Sequence, residues 1–264
     1  MCWNDSLLIM STLIAAAASL LVFCAPGYPG TTEDAQPLVG EFATTLAAAA
    51  GWPAGSLTAV YDASDTSDVA RLAAPEAGLA FVPYPFYVQH GAQLHMVPLV
   101  QADVPPAGLQ QRWTLVLHKG HAPPPAGLAG MTIISTTGYA PDFVRDAVHN
   151  LGALPADTTI TATGQVLSAL RRAANGDPVA VLLDQEQAGA LASLPFAANL
   201  ATFGPSAPVP VALIVVVDGR IAPARAQQLS QALLHLSGTP QGAATLSRLK
   251  LNGFALPRLP NPGS

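Results

Sequence analysis

The sequence predicts an α/β protein of two lobes, each a parallel-rich sheet flanked by helices, with a cleft between them. Buried-strand and amphipathic-helix patterns alternate along the chain, the grammar of parallel sheets. That alternation restarts after a proline-rich link at 122–125. The 264 residues, half of them hydrophobic and 10% charged, suffice for two lobes of about 100 residues each. The expected division is a leader at 1–18, a first lobe at 19–115, a second lobe at 116–207, and a return to the first lobe at 208–264.

The stretch 7–18 is apolar and ends in small residues, with Ala16 and Ala18 suited to a signal-peptidase cut before Ser19. The protein is therefore expected to be exported to the periplasm. Residues 1–6 carry no Lys or Arg, so both Met1 and Met10 stand as translation starts. Cleavage would remove Cys2 and leave Cys24 alone, with no internal disulfide. In its apolar run Cys24 reads as a small buried hydrophobe. Phe23 is too bulky to precede a lipidated cysteine, so a lipid anchor is not expected.

Residues 20–24 predict a buried strand, and 25–30 a Gly/Pro-rich loop. Thr31-Thr32-Glu33-Asp34 then gives a helix start, a Thr cap followed by acids in the first turn. Leu38, Val39, Phe42 and Leu46 mark its apolar face, and Gly51 stops it. Strands follow near 56–61, 78–82, 94–100 and 113–118, with a short helix at 68–72. After the link come a strand at 131–134, a helix at 141–151, a strand at 158–162 and a helix at 166–174. The strand at 179–183 delivers Asp184. The run 206–217 is extended but holds Pro208 and Pro210, which suits an edge or a crossover rather than a central strand. Helices from Pro223 and from Thr239-Pro240 finish the chain. The link near 120 and the run near 210 are the two expected crossings between lobes.

The formal charge is −5, only two lysines occur, and the largest basic cluster is Arg171-Arg172. A nucleic-acid binder needs a cationic stripe against phosphates, so that partner class is excluded. No apolar run after residue 30 reaches the roughly 18 residues of a membrane span.

Three sites place a strand end before Gly, Pro, Ser, Thr or Tyr and then a helix: 27–32, 83–86 and 135–139. Unpaired N–H groups at helix starts suit an anion without a full cation, and ligands sit outside the carboxyl ends of parallel strands. The candidate binding residues are Thr31, Thr32, Ser135, Thr136 and Thr137 for their hydroxyls, and Tyr28, Tyr84 and Tyr139 as cleft walls with a polar tip. Asp184 is either an acceptor for the ligand or a cap on the helix that follows it. His118 and His121 lack a third metal ligand, and no G-x-S-x-G, HExxH or CxxC motif occurs. Neither catalysis, a metal nor a cofactor is expected, and a monomer is.

Leu128-Ala129-Gly130-Met131-Thr132-Ile133-Ile134-Ser135-Thr136-Thr137 is similar to an L-x-G strand followed by a Ser/Thr-rich anion loop. Residues 166–181 are similar to the next helix, turn and strand of the same pattern, with Asp184 at the matching strand end. On these residues the chain resembles the periplasmic solute-binding proteins of ABC transporters, type II arrangement, in the phosphate/phosphite/phosphonate-binding branch. The resemblance implies that Ser135, Thr136 and Thr137 bond the oxygens of a small, phosphonate-like solute. It places Tyr84 on the first lobe's side and Asp184 at the ligand's other end. It also implies a membrane permease as partner. The alternatives are an enzyme on the same scaffold and a binder of an apolar or lipid-like ligand.

Overall fold

The computed structural model describes residues 18–27 and 31–260. Apart from Ala18, the expected leader lies outside the described residues, as does Tyr28.

The chain opens with β1 (Ser19–Cys24), α1 (Thr32–Ala49), β2 (Leu57–Asp62), α2 (Asp65–Ala73), β3 (Ala77–Pro83), α3 (Tyr84–His90) and β4 (Met96–Asp103). β1 pairs in parallel with both β2 and β3, so the strand ends that precede α1, α2 and α3 share one edge. Thr31 caps α1, its hydroxyl accepting the Asp34 N–H at 3.1 Å. Val39, Phe42 and Leu46 of α1 are buried against this sheet, and the Phe42 ring meets Phe23 of β1 edge-on at 5.5 Å.

After β4 the chain passes through β5 (Gln110–Gln111) into β6 (Thr114–His118), the first strand of a second sheet. β7 (Thr132–Ser135), α4 (Pro141–Ala147), β8 (Thr159–Ala162), α5 (Val166–Ala174), β9 (Val179–Leu183), α6 (Gln185–Ala190) and β10 (Leu200–Phe203) complete that lobe. Its strand order is β10-β6-β9-β7-β8, with β7 parallel to β8 and β9 and with β6 antiparallel to β9. Every residue of β9 is buried, as an interior strand requires.

β11 (Val209–Pro210) then pairs antiparallel with β5, Val209 opposite Gln111, so the outgoing and returning passages form one two-stranded ribbon. β12 (Ala212–Val217) re-enters the first sheet, followed by α7 (Pro223–His235), α8 (Pro240–Arg248) and β13 (Gly253–Ala255). The first sheet has the order β13-β4-β12-β3-β1-β2.

Three expectations need correction. The outgoing crossing precedes Thr114, because all of β6 belongs to the second sheet, so a boundary at 115/116 cuts through a strand. The proline-rich link at 122–125 therefore lies inside the second lobe, between β6 and β7. The run 206–217 is not an edge; the expected crossover is confined to its first part, and the rest is a central strand. Its prolines end at Pro210, within the ribbon, and β12 lies fully buried between β3 and β4 with every amide available to the ladder. Finally, the helix expected at 141–151 is α only to Ala147; a 3-10 turn covers 149–151.

The lobes touch beyond the ribbon. An apolar core runs from one to the other through Tyr84, Phe86, Trp113 and Phe143. The Phe143 ring lies edge-on to Trp113 at 5.2 Å and to Tyr84 at 6.2 Å. Gln89 on α3 and Asp142 on α4 exchange two hydrogen bonds: Gln89 Nε2 donates to Asp142 Oδ2 at 3.3 Å, and the Asp142 N–H to Gln89 Oε1 at 3.0 Å.

Candidate functional site

The strand ends of both sheets and the ribbon enclose a cleft of 450 Å³. Pro26, Gly27, Pro83 and Pro85 line it from the first lobe; Thr136, Thr137, Tyr139, Gln165, Asp184 and Gln187 line it from the second. Gln111, Trp113 and Val211 form the wall beside the ribbon.

Two glycines allow the close approaches that shape it. Gly27 has φ +81, and a Cβ there would lie 3.1 Å from the Thr136 carbonyl, so the β1–α1 loop comes against the facing lobe's backbone. A Cβ on Gly138 would lie 2.3 Å from the Thr161 backbone, so only glycine lets the loop after β7 fold onto the end of β8.

That loop spends most of its polar groups on itself. Ser135 is fully buried; its hydroxyl donates to the Leu182 carbonyl at 2.9 Å, lies 3.0 Å from the Thr137 hydroxyl and accepts the Thr137 N–H at 3.2 Å. The Gly138 and Ala140 N–H groups donate to Ser135 and Thr137 carbonyls. Ser135 is thus a brace that holds the loop to β9, and the free amide donors expected here are largely consumed. Thr136, between Ser135 and Thr137, is only half-buried and lines the cleft.

Asp184 ends β9 and caps α6. Its Oδ1 accepts the Gln187 N–H at 2.8 Å while Gln187 Oε1 accepts the Asp184 N–H, a reciprocal box. The cap reading of this residue holds, and the same residue also lines the cleft. Burial pushes its carboxyl above the ordinary value, against the lowering effect of the Gln187 N–H. Among the described lining residues it is the only carboxylate, and none of them is Lys, Arg or His.

The remaining candidates fall elsewhere. Tyr84 is buried between the lobes against Phe143 and Tyr87, and burial raises its phenol to about 12. It is an inter-lobe packing residue, because α3 begins at Tyr84 itself and turns the ring inward. Thr31 and Thr32 are exposed at the start of α1 and are not among the residues lining the cleft; the Thr31 hydroxyl also donates to Asp34 Oδ2 at 2.7 Å. Gln111, Gln165 and Gln187 line the cleft without a sequence signal, because a lone glutamine has no motif. His118 and His121 lie ring to ring at 5.7 Å, and no group of three potential metal ligands occurs among the described residues. No described helix is long and apolar enough to cross a membrane.

No protein-family model and no curated relative matches the chain. Solved structures do. A Xanthomonas citri protein determined bound to ATP is similar at TM-score 0.66 and 14% identity over 92% of each chain. PhnD1 of Prochlorococcus marinus, solved with methylphosphonate, is similar at TM-score 0.57 and 14% identity, over 90% of this chain and 92% of that one. The binding-protein component of an ABC phosphonate transporter from Pseudomonas aeruginosa follows at TM-score 0.53 and 13% identity, over 90% and 81%. At such identity the likeness concerns the backbone. The chain has the two-lobed α/β fold of type II periplasmic binding proteins.

Proposed function

We propose that this protein is an exported solute-binding component of an ABC-type uptake system, which captures a small solute between its lobes without transforming it. The observation that carries this is the cleft itself: 450 Å³, lined from both lobes, with Gln111, Gln165, Gln187, Thr136, Thr137 and Asp184 as polar residues of its wall. The fold's neighbours include proteins that bind phosphonates, which supports an acceptor-rich group at the Thr136 end. A simple oxyanion gains no ion pair, since none of the described lining residues is Lys, Arg or His. A triphosphate fits worse for the same reason. The arrangement suits a solute with two ends, an oxyanion toward Thr136 and Gln165 and an ammonium toward Asp184. An ammonium would hold that carboxylate charged and recover the cost of burying it. Extra contacts formed when both lobes engage the solute would favour the closed state, the form presented to a permease.

Calorimetry with 2-aminoethylphosphonate, ethylphosphonate and inorganic phosphate tests the reading. The amine-bearing compound should bind at least tenfold more tightly than the other two. Asp184→Asn keeps a good helix cap and should erase that preference. Equal binding of all three, or none, refutes the two-ended site.

A further inference from the structure

The first lobe holds a second concavity that the cleft residues do not account for. It measures 290 Å³ and lies at the carboxyl edge of the first sheet, beside the opening turns of α1. Phe23, Leu38, Phe81 and Leu249 line it, and so do Pro83 and Val211. The last two also line the cleft, so the spaces adjoin where β3 ends and β12 is about to begin.

Its described lining includes no charged side chain. Phe81 sits on β3, in the interior of a six-stranded sheet and hydrogen-bonded through both neighbours, yet it is only half-buried. Leu38 and Leu249 are half-buried too, although the helical pattern of α1 points Leu38 at the core. These side chains border space that no described residue fills, at the edge where ligands enter this fold. At roughly 30 Å³ for each water-sized group, the space takes on the order of ten methylenes.

We infer that this concavity receives an apolar tail of the solute whose polar head occupies the cleft, so that the substrate class is an amphipathic zwitterion rather than a bare one. The inference rests on the proposed role of the cleft. The shared wall at Pro83 and Val211 puts the concavity within reach of a solute seated in the cleft, which favours a substituent of the same molecule over a docked protein segment.

The test is a series of 1-aminoalkylphosphonates and matching 2-amino acids with alkyl groups of one, four and eight carbons, titrated by calorimetry. Affinity should rise about fourfold per methylene while the space fills. Leu38→Trp, at a half-exposed helix position, fills the concavity and should abolish that rise while leaving the one-carbon compounds unchanged. Val104→Phe provides a second block at another wall. Neutral 1-octanol, read by thermal shift, reports on the apolar space without the head. If short compounds bind and chain length has no effect, the tail site is overturned and the cleft reading stands. If octanol and the eight-carbon compounds bind, lose binding in Leu38→Trp, and one-carbon compounds fail, the tail site stands and the two-ended head site falls. If nothing in the series binds and octanol gives no shift, both are overturned.

Discussion

Replacing Asp68 by Asn should stabilise the protein by an amount that grows with pH. Asp68 lies on α2, fully buried, and neither carboxylate oxygen has an N–H or O–H partner among the described residues. Burial raises it from an ordinary 3.8 to about 8; the Cys24 thiol, also buried, opposes the rise, Asp62 and Asp65 add to it, and Arg71 opposes it. The folded protein therefore keeps a proton that the unfolded chain releases. Between pH 4 and 8 the native state binds more protons, so stability falls as pH rises through that window and levels off above the folded value. Each pH unit in the window corresponds to about 1.4 kcal/mol, which reaches about 4 kcal/mol at pH 7. About half of that is expected after solvent screening and relaxation around the charged form. Asn has the same shape and no charge, so the gain should be near zero at pH 4.5 and about 2 kcal/mol at pH 7. Urea unfolding of both proteins at four pH values from 4.5 to 7.5 measures it. Asp62, held low against its burial by Ser67 and Arg71, changes charge below this window and adds no slope within it. A constant difference between the two proteins across the series would refute the assignment of a buried, protonated Asp68.

Further outcomes follow from the same geometry. Ser135→Ala should cost about 1–3 kcal/mol of stability, because it strands the Leu182 carbonyl and the Thr137 N–H, and the loss should appear in denaturant midpoints as well as in solute affinity. Gly138→Ala forces a Cβ into the Thr161 backbone and should displace the loop after β7, seen as poor expression or a lowered Tm. Gln89→Ala removes both hydrogen bonds to Asp142 and should shift the ligand-free protein toward an open form; small-angle scattering would show a larger radius of gyration and calorimetry a several-fold weaker affinity.

The alternation of strands and helices, the capped start of α1 and the buried β9 were legible because local pattern and tertiary burial agree there. Pro208 and Pro210 marked the crossover but misled about the residues after it, since proline speaks only for its own residue and β12 begins two positions later. The antiparallel entry of β12 and β6 was not legible either, because orientation depends on where the ribbon returns the chain. At the site, Thr136 and Asp184 were visible as strand-end residues. Ser135 and Tyr84 share that sequence position but face inward, and side-chain direction at a strand end is set by the neighbouring strand. The glutamines became visible only once two lobes brought them together.

The β5–β11 ribbon has a mechanical consequence. Two separate threads between bodies would allow twist, shear and splay; threads zipped by a shared ladder bend together, about one axis. A single pair of spectroscopic labels, one on each side of that axis, would then report the whole excursion, and a nick in either strand would loosen the joint without letting the bodies part.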